Sequence, residues 1–209
     1  MSEHYFSESP KSDLKPREIS IRLGGEPRQV ITASGVFSPE RLDHGTEVLL
    51  RTLADQGIIS DDATHQPVLD LGCGWGPIAL SAALARPERD VWAVEVNPRA
   101  RELTAENARR LGLSRVRVAA PEEVPGDVRF GLILSNPPIR VGKQVLHEML
   151  SLWLPRLAEG ASAYLVVAKH LGADSLQKWI SETFTECDVS RLARDKGFHV
   201  IAVHRPATS

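Results

Sequence analysis

The sequence predicts an α/β fold with a mostly parallel sheet, and three observations support this class. Between residues 67 and 183, short apolar runs alternate with amphipathic stretches of helical spacing. The runs are apolar at nearly every position, as is typical of strands buried on both faces. A Gly-rich loop, Gly72 to Gly76, joins the first run to a helix, which is where parallel sheets bind ligands. The expected architecture is therefore a sheet covered by helices on both sides.

Composition is that of an ordinary globular protein of one sizeable domain. The 209 residues are 42% apolar and 25% charged, with a net charge of −2. This charge is not that of a nucleic-acid coat protein, but an enzyme can meet RNA through a local basic patch. No apolar stretch spans a bilayer and the N-terminus lacks a signal-peptide core, so we expect a cytoplasmic protein. Cys73 and Cys187 form neither a disulfide nor a metal-ligand pattern, and no metal is predicted.

The N-terminal part predicts a hairpin followed by a helix. Two β-rich runs, REISIRL and RQVITASGVFS, flank a turn at Gly24 and Gly25. LDHGTEVLLRTLADQG then has helical spacing and a Gly57 stop. We divide the chain into an N-terminal segment with a hairpin cap at 1–42 and a main domain at 43–209.

Strands and helices alternate from Pro67 onwards. Strands are expected in PVLDL, DVWAVEV, RVRVAA, RFGLILS and ASAYLVVA, and helices in PIALSAALAR, PRARELTAENARRLGL, KQVLHEMLSLWLPRL and DSLQKWISETF. The last stretch, CDVSRLARDKGFHVIAVHR, predicts an antiparallel strand pair at the sheet edge. Because parallel strands end at one edge, the strand ends at Leu71, Glu95 and Ser135 should lie together there.

The Gly-rich loop VLDLGCGWGPIAL is the first candidate site. Glycines permit positive φ and close ligand approach, and Pro77 suits the first helical position. The spacing is G-x-G-x-G, which differs from the dinucleotide G-x-G-x-x-G and argues against an oxidoreductase. Asp70 would repel a pyrophosphate but suits the α-ammonium group of a methionine moiety. Glu95 is placed to bind ribose hydroxyls, although NAD enzymes also carry a carboxylate there.

The second candidate site is Asn136-Pro137-Pro138 in LILSNPPIRVGK. The two prolines end the strand and stiffen the loop, because neither has a backbone N–H and each has a fixed φ. The Asn136 amide oxygen and the following carbonyl can both accept from an exocyclic NH₂. They would orient this amine toward a sulfonium methyl. Simple strand punctuation is the alternative, and the nearby glycine loop argues against it.

Several stretches together resemble a known family: SGVFSPERLDHGTEVLL, VLDLGCGWGPIAL, VEVNPRA, AENARRLG and SNPPIRVGK. The chain resembles class I S-adenosylmethionine-dependent methyltransferases of the small methyltransferase domain family. Within it, the similarity is to the catalytic domain of RsmC/RlmG-type ribosomal RNA guanine-N2 methyltransferases. The resemblance implies a Rossmann-like seven-stranded sheet with an antiparallel last strand pair. It also implies S-adenosylmethionine as cofactor and ribosomal RNA or a ribosomal subunit as partner.

The resemblance also implies roles for particular residues. Asn136, Pro137 and Pro138 would hold the target amine. The candidate cofactor contacts lie mostly near the strand ends and are Thr46, Asp70, Gly72, Cys73, Gly74, Gly76, Glu95, Val96, Glu122 and Asn136. Asp43 is a further candidate. Of these, Glu122 in AAPEEV is our choice for the adenine-binding acid.

Weaker candidates surround the N-P-P motif. Ile139 stands where many adenine-N6 enzymes have an aromatic ring that stacks on a flipped base, which favours a guanine amine or another target over adenine. Phe37 is a candidate pocket wall or a core residue. Arg140 and Lys143 are candidate phosphate contacts or plain surface charges.

Two other functions stay open. One is a methyltransferase acting on a protein amide or a small molecule, because N-P-P also occurs in glutamine methylation. The other is a non-catalytic module that binds the cofactor. An intact glycine loop together with an intact N-P-P motif argues against the second.

Overall fold

The computed structural model describes residues 16–61 and 65–208, and it confirms the predicted α/β class. The predicted polar segment up to residue 15 lies outside this range. The hairpin strands are β1 (Pro16–Leu23) and β2 (Glu26–Ala33). The main sheet contains β3 (Val68–Leu71), β4 (Val91–Val94), β5 (Val116–Ala119), β6 (Phe130–Ser135), β7 (Leu157–Ala168), β8 (Asp188–Asp195) and β9 (Phe198–His204). The α-helices are α1 (His44–Asp55), α2 (Pro77–Ala85), α3 (Pro98–Arg110), α4 (Lys143–Trp153) and α5 (Ala173–Thr183).

The seven main strands lie in the order β5-β4-β3-β6-β7-β9-β8. Strands β3 to β7 are mutually parallel, whereas β9 runs antiparallel to both β7 and β8. The predicted antiparallel last pair is confirmed, as is the position of β6 beside β3, with Asp70 opposite Leu134. Because strand order reverses between β3 and β6, a ligand crevice is expected at their carboxyl ends. We call this side of the sheet the carboxyl edge.

Side chains of each strand point alternately to two different cores. Leu69 and Ile133 enter the core beneath α4 and α5, whereas Val68 and Leu134 enter the core beneath α1 and α2. Each buried Leu or Ile contributes roughly 1.5–3 kcal/mol to folding. The sheet is thus fixed on both faces, which keeps its carboxyl edge rigid.

The hairpin forms a third core with α2 and α3. Gly24 and Gly25, at φ values of 60° and 84°, make the tight turn that joins β1 to β2. The apolar face of the hairpin packs against Trp75 and against residues of both helices, with these members: Ile21, Leu23, Val30, Ala33, Leu80, Leu103 and Ala108. The hairpin therefore rests on the two helices that flank the glycine loop.

Two predicted elements end earlier than the sequence suggested. Strand β2 stops at Ala33 rather than continuing to residue 38, because Gly35 and Ser38 have positive φ and turn the chain into a loop. Helix α4 stops at Trp153, and a short 3₁₀ turn follows because Pro155 cannot continue the helical hydrogen bonding. In the part of the chain that the structure describes, no helix has both the length and the apolar character needed to cross a membrane.

Candidate active site

The glycine loop begins where β3 ends and is tied to the neighbouring strand. The backbone N–H groups of Gly72 and Cys73 both donate to the carbonyl of Val94, at 2.8 and 3.1 Å. Gly72 and Gly74 have φ values of 76° and 57°, and a Cβ added at either would meet no atom within 4 Å. These two glycines therefore line open space into which a ligand can fit.

Gly76 has a different role in the same loop. At φ 98°, its Cβ would lie only 2.8 Å from Cγ2 of Thr104 on α3. Thr104 also donates its hydroxyl to the carbonyl of Gly74 at 2.8 Å. The third glycine thus allows α3 to support the loop from behind, and its predicted cofactor contact stays a prediction.

Cys73 is buried within the loop. Its Sγ lies 3.7 Å from the Thr104 hydroxyl, and burial together with nearby Asp70 raises the pKa of the thiol well above its usual value. The thiol is therefore protonated at neutral pH and is unsuited to nucleophilic chemistry. A cofactor contact from Cys73 would have to use its backbone.

Asp70 is fully buried beside the loop and lacks one hydrogen-bond partner. Its Oδ2 accepts the Ala79 N–H at 2.8 Å, while Oδ1 has no partner among the described residues. The pKa of Asp70 is raised to about 8, mainly by burial. The hydrogen bond from Ala79 opposes this rise, and the charge of Glu95 adds to it. An orphaned buried oxygen is unfavourable, and a ligand ammonium group would satisfy it.

Glu95 lies just beyond β4 and is held from both sides. Its Oε2 accepts the Gly74 N–H at 3.0 Å, and its Oε1 accepts the Asn97 N–H at 2.9 Å. Arg101 donates to the backbone carbonyls of Glu95 and Val96 at 2.7 and 2.8 Å. Each Glu95 oxygen keeps a free lone pair for a ribose hydroxyl, which is what the predicted role requires.

The two acids that follow β5 differ in what they bind. Glu123 accepts the Ala120 N–H at 2.6 Å and is thereby turned toward its own backbone. Glu122 is exposed, and its carboxylate has no partner within residues 16–61 and 65–208. Of the two, Glu122 remains the candidate for the adenine.

Asn136 follows β6, and its side-chain amide has a fixed orientation. The Nδ2 group donates to Asp43 Oδ2 at 2.7 Å and to Thr46 Oγ1 at 3.0 Å. An ionised carboxylate only accepts hydrogen bonds, so the amide nitrogen must face Asp43. The amide oxygen is then directed away from Asp43, and no described residue donates to it. This oxygen is free to accept from a substrate.

The prolines after Asn136 shape the rest of the loop. Pro137 is buried, and its carbonyl accepts the Ile139 N–H at 2.8 Å, which leaves one lone pair for a substrate. The carbonyl of Pro138 accepts the Val141 N–H at 3.1 Å. Both prolines thus belong to a compact turn that presents acceptors at the carboxyl edge.

The RLDHGT segment positions Asn136. Asp43 caps α1 by accepting the Thr46 N–H at 3.0 Å with the same oxygen that binds Asn136. A Cβ on Gly45 would lie 3.0 Å from both Asp43 Oδ2 and Phe198 Cε1, so the close packing requires glycine. Thr46, predicted to contact the cofactor, lies against the Asn136 amide.

Phe37 is not a core residue, so that alternative is wrong: its side chain is 64% exposed. It belongs to the loop after β2, which is fixed at both ends over the site. Trp75 donates its indole N–H to the carbonyl of Ser38 at 3.3 Å, and Asn97 donates to Gly35 at 3.2 Å. Phe37 is therefore displayed near the glycine loop and the end of β4, where a pocket wall is expected.

Sequence reasoning missed Asn107, which connects the hairpin to the glycine loop. This buried amide accepts the Ile31 N–H at 2.6 Å and donates to the Ile31 carbonyl at 2.8 Å, as a neighbouring strand would. It also donates to the carbonyl of Trp75 at 3.1 Å. The only signal in the sequence was an Asn on the predicted buried face of a helix, in AENARRLG.

The remaining predicted residues flank the N-P-P turn. Ile139 packs half-buried against the core under α4 and α5, and Lys143 is exposed at the first turn of α4. The Arg140 side chain lies outside the described part of the structure. Within the described ranges, no group of three or more His, Cys, Asp or Glu side chains is arranged to hold a metal.

Fold and site together define a class I methyltransferase with a Rossmann-like sheet, and comparison with known proteins names its family. The profile of the methyltransferase small domain matches residues 27–202, and the chain belongs to this S-adenosylmethionine-dependent family. The predicted resemblance and cofactor are thereby confirmed.

Individual relatives are similar over most of this chain. It is 34% identical over 204 residues to the uncharacterized protein YbxB of Bacillus subtilis, covering 96% of this chain and 98% of that one. Ribosomal RNA small subunit methyltransferase C of Ectopseudomonas mendocina is 28% identical, covering 94% of this chain and 57% of the relative. Release factor glutamine methyltransferase of Bordetella pertussis is 35% identical, covering 62% and 51%.

A solved structure shares the fold. The T. thermophilus 16S rRNA N2-guanine methyltransferase (RsmC), in complex with AdoMet and guanosine, superposes with a TM-score of 0.78 at 23% identity. The match covers 94% of this chain and 52% of that one. This chain thus spans about half the length of the named methyltransferases that it matches.

Proposed function

We propose that this protein transfers a methyl group from S-adenosylmethionine to an exocyclic amine, namely N2 of guanine in ribosomal RNA. The observation that carries the proposal is the Asn136 amide. Both of its N–H bonds are used by Asp43 and Thr46, so its oxygen faces the substrate side as an acceptor. An acceptor oxygen binds a group that carries a hydrogen-bond donor, such as the N–H of an amine, rather than a bare carbonyl.

The residues around the glycine loop fit the cofactor. The orphaned Oδ1 of Asp70 suits the α-ammonium group, and the Glu95 carboxylate suits the ribose hydroxyls. The open space beside Gly72 and Gly74 leaves room for the chain between these two groups. S-adenosylmethionine, when bound, supplies a methyl group that is already activated by its positive sulfonium.

The acceptor side of the site orients the amine and stabilises its developing charge. The Asn136 oxygen and the free lone pair of the Pro137 carbonyl accept the two N–H bonds of the amine. The attacking nitrogen gains positive charge in the transition state, and the two oxygens stabilise this charge without reorganising. Asn136 cannot accept a proton, and a donor this reactive needs no strong general base; the proton that the methylated nitrogen must lose passes to solvent. The contribution of the chain is therefore mainly positioning.

Guanine in ribosomal RNA is the acceptor that the surroundings of the site favour. Ile139 offers no ring on which a flipped adenine would stack. Methyltransferases named for ribosomal RNA match nearly the whole chain, and one solved relative contains guanosine. Phe37, exposed over the cofactor side, offers an aromatic face at the same edge.

A protein amide is the second candidate acceptor, and one observation favours it. Release factor glutamine methyltransferase matches 62% of the chain at 35% identity. A glutamine side chain also carries an NH₂ group that Asn136 could hold. Transfer of methyl to protein rather than RNA would identify this alternative.

The decisive experiment is transfer of a labelled methyl group to RNA from cells that lack this protein. Deproteinised total RNA and intact ribosomal subunits serve as parallel substrates, followed by nucleoside analysis. The proposal expects label in N2-methylguanosine. Label in protein, or in no RNA nucleoside, would contradict the guanine assignment.

Variants test the role of Asn136 in the same assay. Asn136→Ala should lower turnover by at least about 10³-fold while leaving cofactor affinity unchanged, because only the acceptor side loses contacts. Asp43→Asn should lower turnover by a smaller factor, since the amide can then rotate. Gln144→Ala removes an exposed amide from α4 and should behave as the unaltered protein. Near-normal turnover by Asn136→Ala would overturn the amine-holding role.

A further inference from the structure

The carboxyl edge beyond Asn136 carries exposed positive charges. Lys169 follows β7, and Arg194 and Lys196 lie where β8 turns into β9; all three are exposed. The Lys169 N–H donates to the Gly197 carbonyl at 2.8 Å, which holds the two loops together. Among the described residues, none donates or accepts a hydrogen bond or ion pair with these three side chains. We call Lys169, Arg194 and Lys196 the basic edge.

Two acidic residues beside the basic edge are already paired with cations, whereas Asp43, next to Asn136, accepts from uncharged groups. Asp174 pairs with Arg191 at 2.5 Å and lies 3.5 Å from Nδ1 of buried His199, and Asp195 pairs with Arg51. The basic edge is therefore locally positive although the chain carries a net charge of −2.

The charged groups around His199 show the same excess of positive charge. Burial lowers the pKa of this histidine, and Arg191, Arg194 and Lys169 lower it further, against a single opposing contribution from Asp174. The histidine is thus neutral at pH 7 and adds no charge of its own. Its surroundings are those of a surface that attracts anions.

Strand pairing places the basic edge beside the acceptor site. Strand β7 lies next to β6, with Leu165 opposite Ser135, the residue before Asn136. Strand β9 then pairs with β7, with Phe198 opposite Ala168. Neighbouring strands lie about 4.8 Å apart, so the basic edge begins one strand from Asn136 and ends roughly 15 Å away. A polymer held at Asn136 would pass over it.

We propose that the basic edge binds the phosphates of a single-stranded RNA segment that enters the site at Asn136. The proposal rests on the proposed RNA methylation and adds the surface that selects a polymer over a free nucleoside. Phosphate contacts position the strand without reading its sequence.

A charge-removal variant tests the proposal. Lys169→Gln, Arg194→Gln and Lys196→Gln are combined in the full chain, and binding of a labelled mixed-sequence RNA of about 12 nucleotides is followed by anisotropy. Loss of three phosphate contacts should weaken binding about 100-fold near 0.1 M salt. The slope of log affinity against log salt should become shallower by about 2. The KM for RNA should rise, while kcat and affinity for S-adenosylhomocysteine stay unchanged.

A matched control removes the same charge from the opposite, amino edge of the sheet. Arg115 and Arg129 lie at this edge and Arg117 lies in the edge strand β5; all three are exposed, and Arg115 and Arg117 pair with Asp90. Replacing all three with Gln should keep RNA affinity within about twofold. Unchanged RNA affinity in the basic-edge variant, or equal loss in both variants, would overturn the proposal while leaving the methylation intact. Absence of RNA methylation by the unaltered protein would instead reject the proposed function, and this inference with it.

A single substitution controls for the possibility that the triple variant misfolds. Lys196→Gln alone changes one exposed turn residue and should weaken RNA binding about fivefold. Retained S-adenosylhomocysteine affinity verifies the fold in every variant. A single variant with unchanged RNA affinity would count against the proposal in the same way as the triple one.

Discussion

Cofactor binding should release a proton from Asp70. With a pKa of about 8, this carboxyl is about 90% protonated at pH 7 in the free protein. An ammonium group placed at the orphaned Oδ1 requires the carboxylate form, because a carboxylic acid cannot compensate its charge. Binding at pH 7 should therefore release about 0.9 proton from this group.

Calorimetry measures this number directly. Titration of S-adenosylhomocysteine, which carries the same ammonium group, in two pH 7 buffers of different ionisation enthalpy yields the protons released. Asp70→Asn keeps an acceptor for the Ala79 N–H but has no proton to release, and it should bind more weakly. Asp127→Asn, an exposed change near the amino edge, should release the same number of protons as the unaltered protein.

Stability of the free protein should show the same titration. The pKa of about 8 in the folded state lies above the ordinary value of 3.8, so between them the folded state binds more protons. The contribution of Asp70 to unfolding free energy is therefore greatest below pH 4 and falls as pH rises through 8. The slope is at most about 1.4 kcal/mol per pH unit. Identical pH profiles for Asp70→Asn and the unaltered protein, together with no proton release, would refute the placement of the ammonium group.

Three further variants test the supports of the site. Gly74→Val should weaken S-adenosylhomocysteine binding at least about 100-fold, because its side chain fills the open space and φ 57° disfavours it; unchanged affinity in a titration would reject the loop assignment. Gly76→Ala should lower the unfolding free energy by about 2–4 kcal/mol through its contact with Thr104. Adding Thr104→Ser, which removes the clashing methyl, should recover part of this in denaturant unfolding, and no recovery would point to backbone strain alone. Asn107→Ala should cost about 2–4 kcal/mol by leaving the Ile31 backbone groups unpaired; hydrogen exchange of the hairpin should accelerate, and unchanged protection would contradict the proposed link.

Local sequence patterns were enough to predict the strands, the sheet and the glycine loop. Apolar runs of strand length, separated by amphipathic helices, leave few arrangements other than a parallel sheet. Gly, Pro and Asn at the strand ends then indicate ligand sites, because these residues have little reason to follow a buried strand otherwise. Fold class and the two candidate motifs follow from such short-range signals.

Contacts between distant segments could not be predicted in this way. Asp43 and Asn136 are 93 positions apart, and nothing in either segment indicates that their side chains meet. The Asn107 side chain on α3 bonds to both backbone groups of Ile31, as a neighbouring strand would. No repeating sequence pattern indicates such a contact. In the sequence, Gly76 looked like Gly72 and Gly74, but glycine is required there because Thr104 lies too close for a side chain. Such details depend on how complete elements pack together.

The reversal of strand order between β3 and β6 separates the loops of the carboxyl edge into two groups. In the proposed reaction, the loops after β3, β4 and β5 would face the methyl donor, and those after β6 and β7 and between β8 and β9 would face the acceptor. The two groups meet at the β3–β6 seam, where the Ser135 hydroxyl donates to the Leu71 carbonyl at 2.7 Å. The acceptor loops can therefore vary while the donor half stays unchanged. A fold divided in this way can acquire new substrates by altering one side, and chimeras joined at this seam should retain donor affinity.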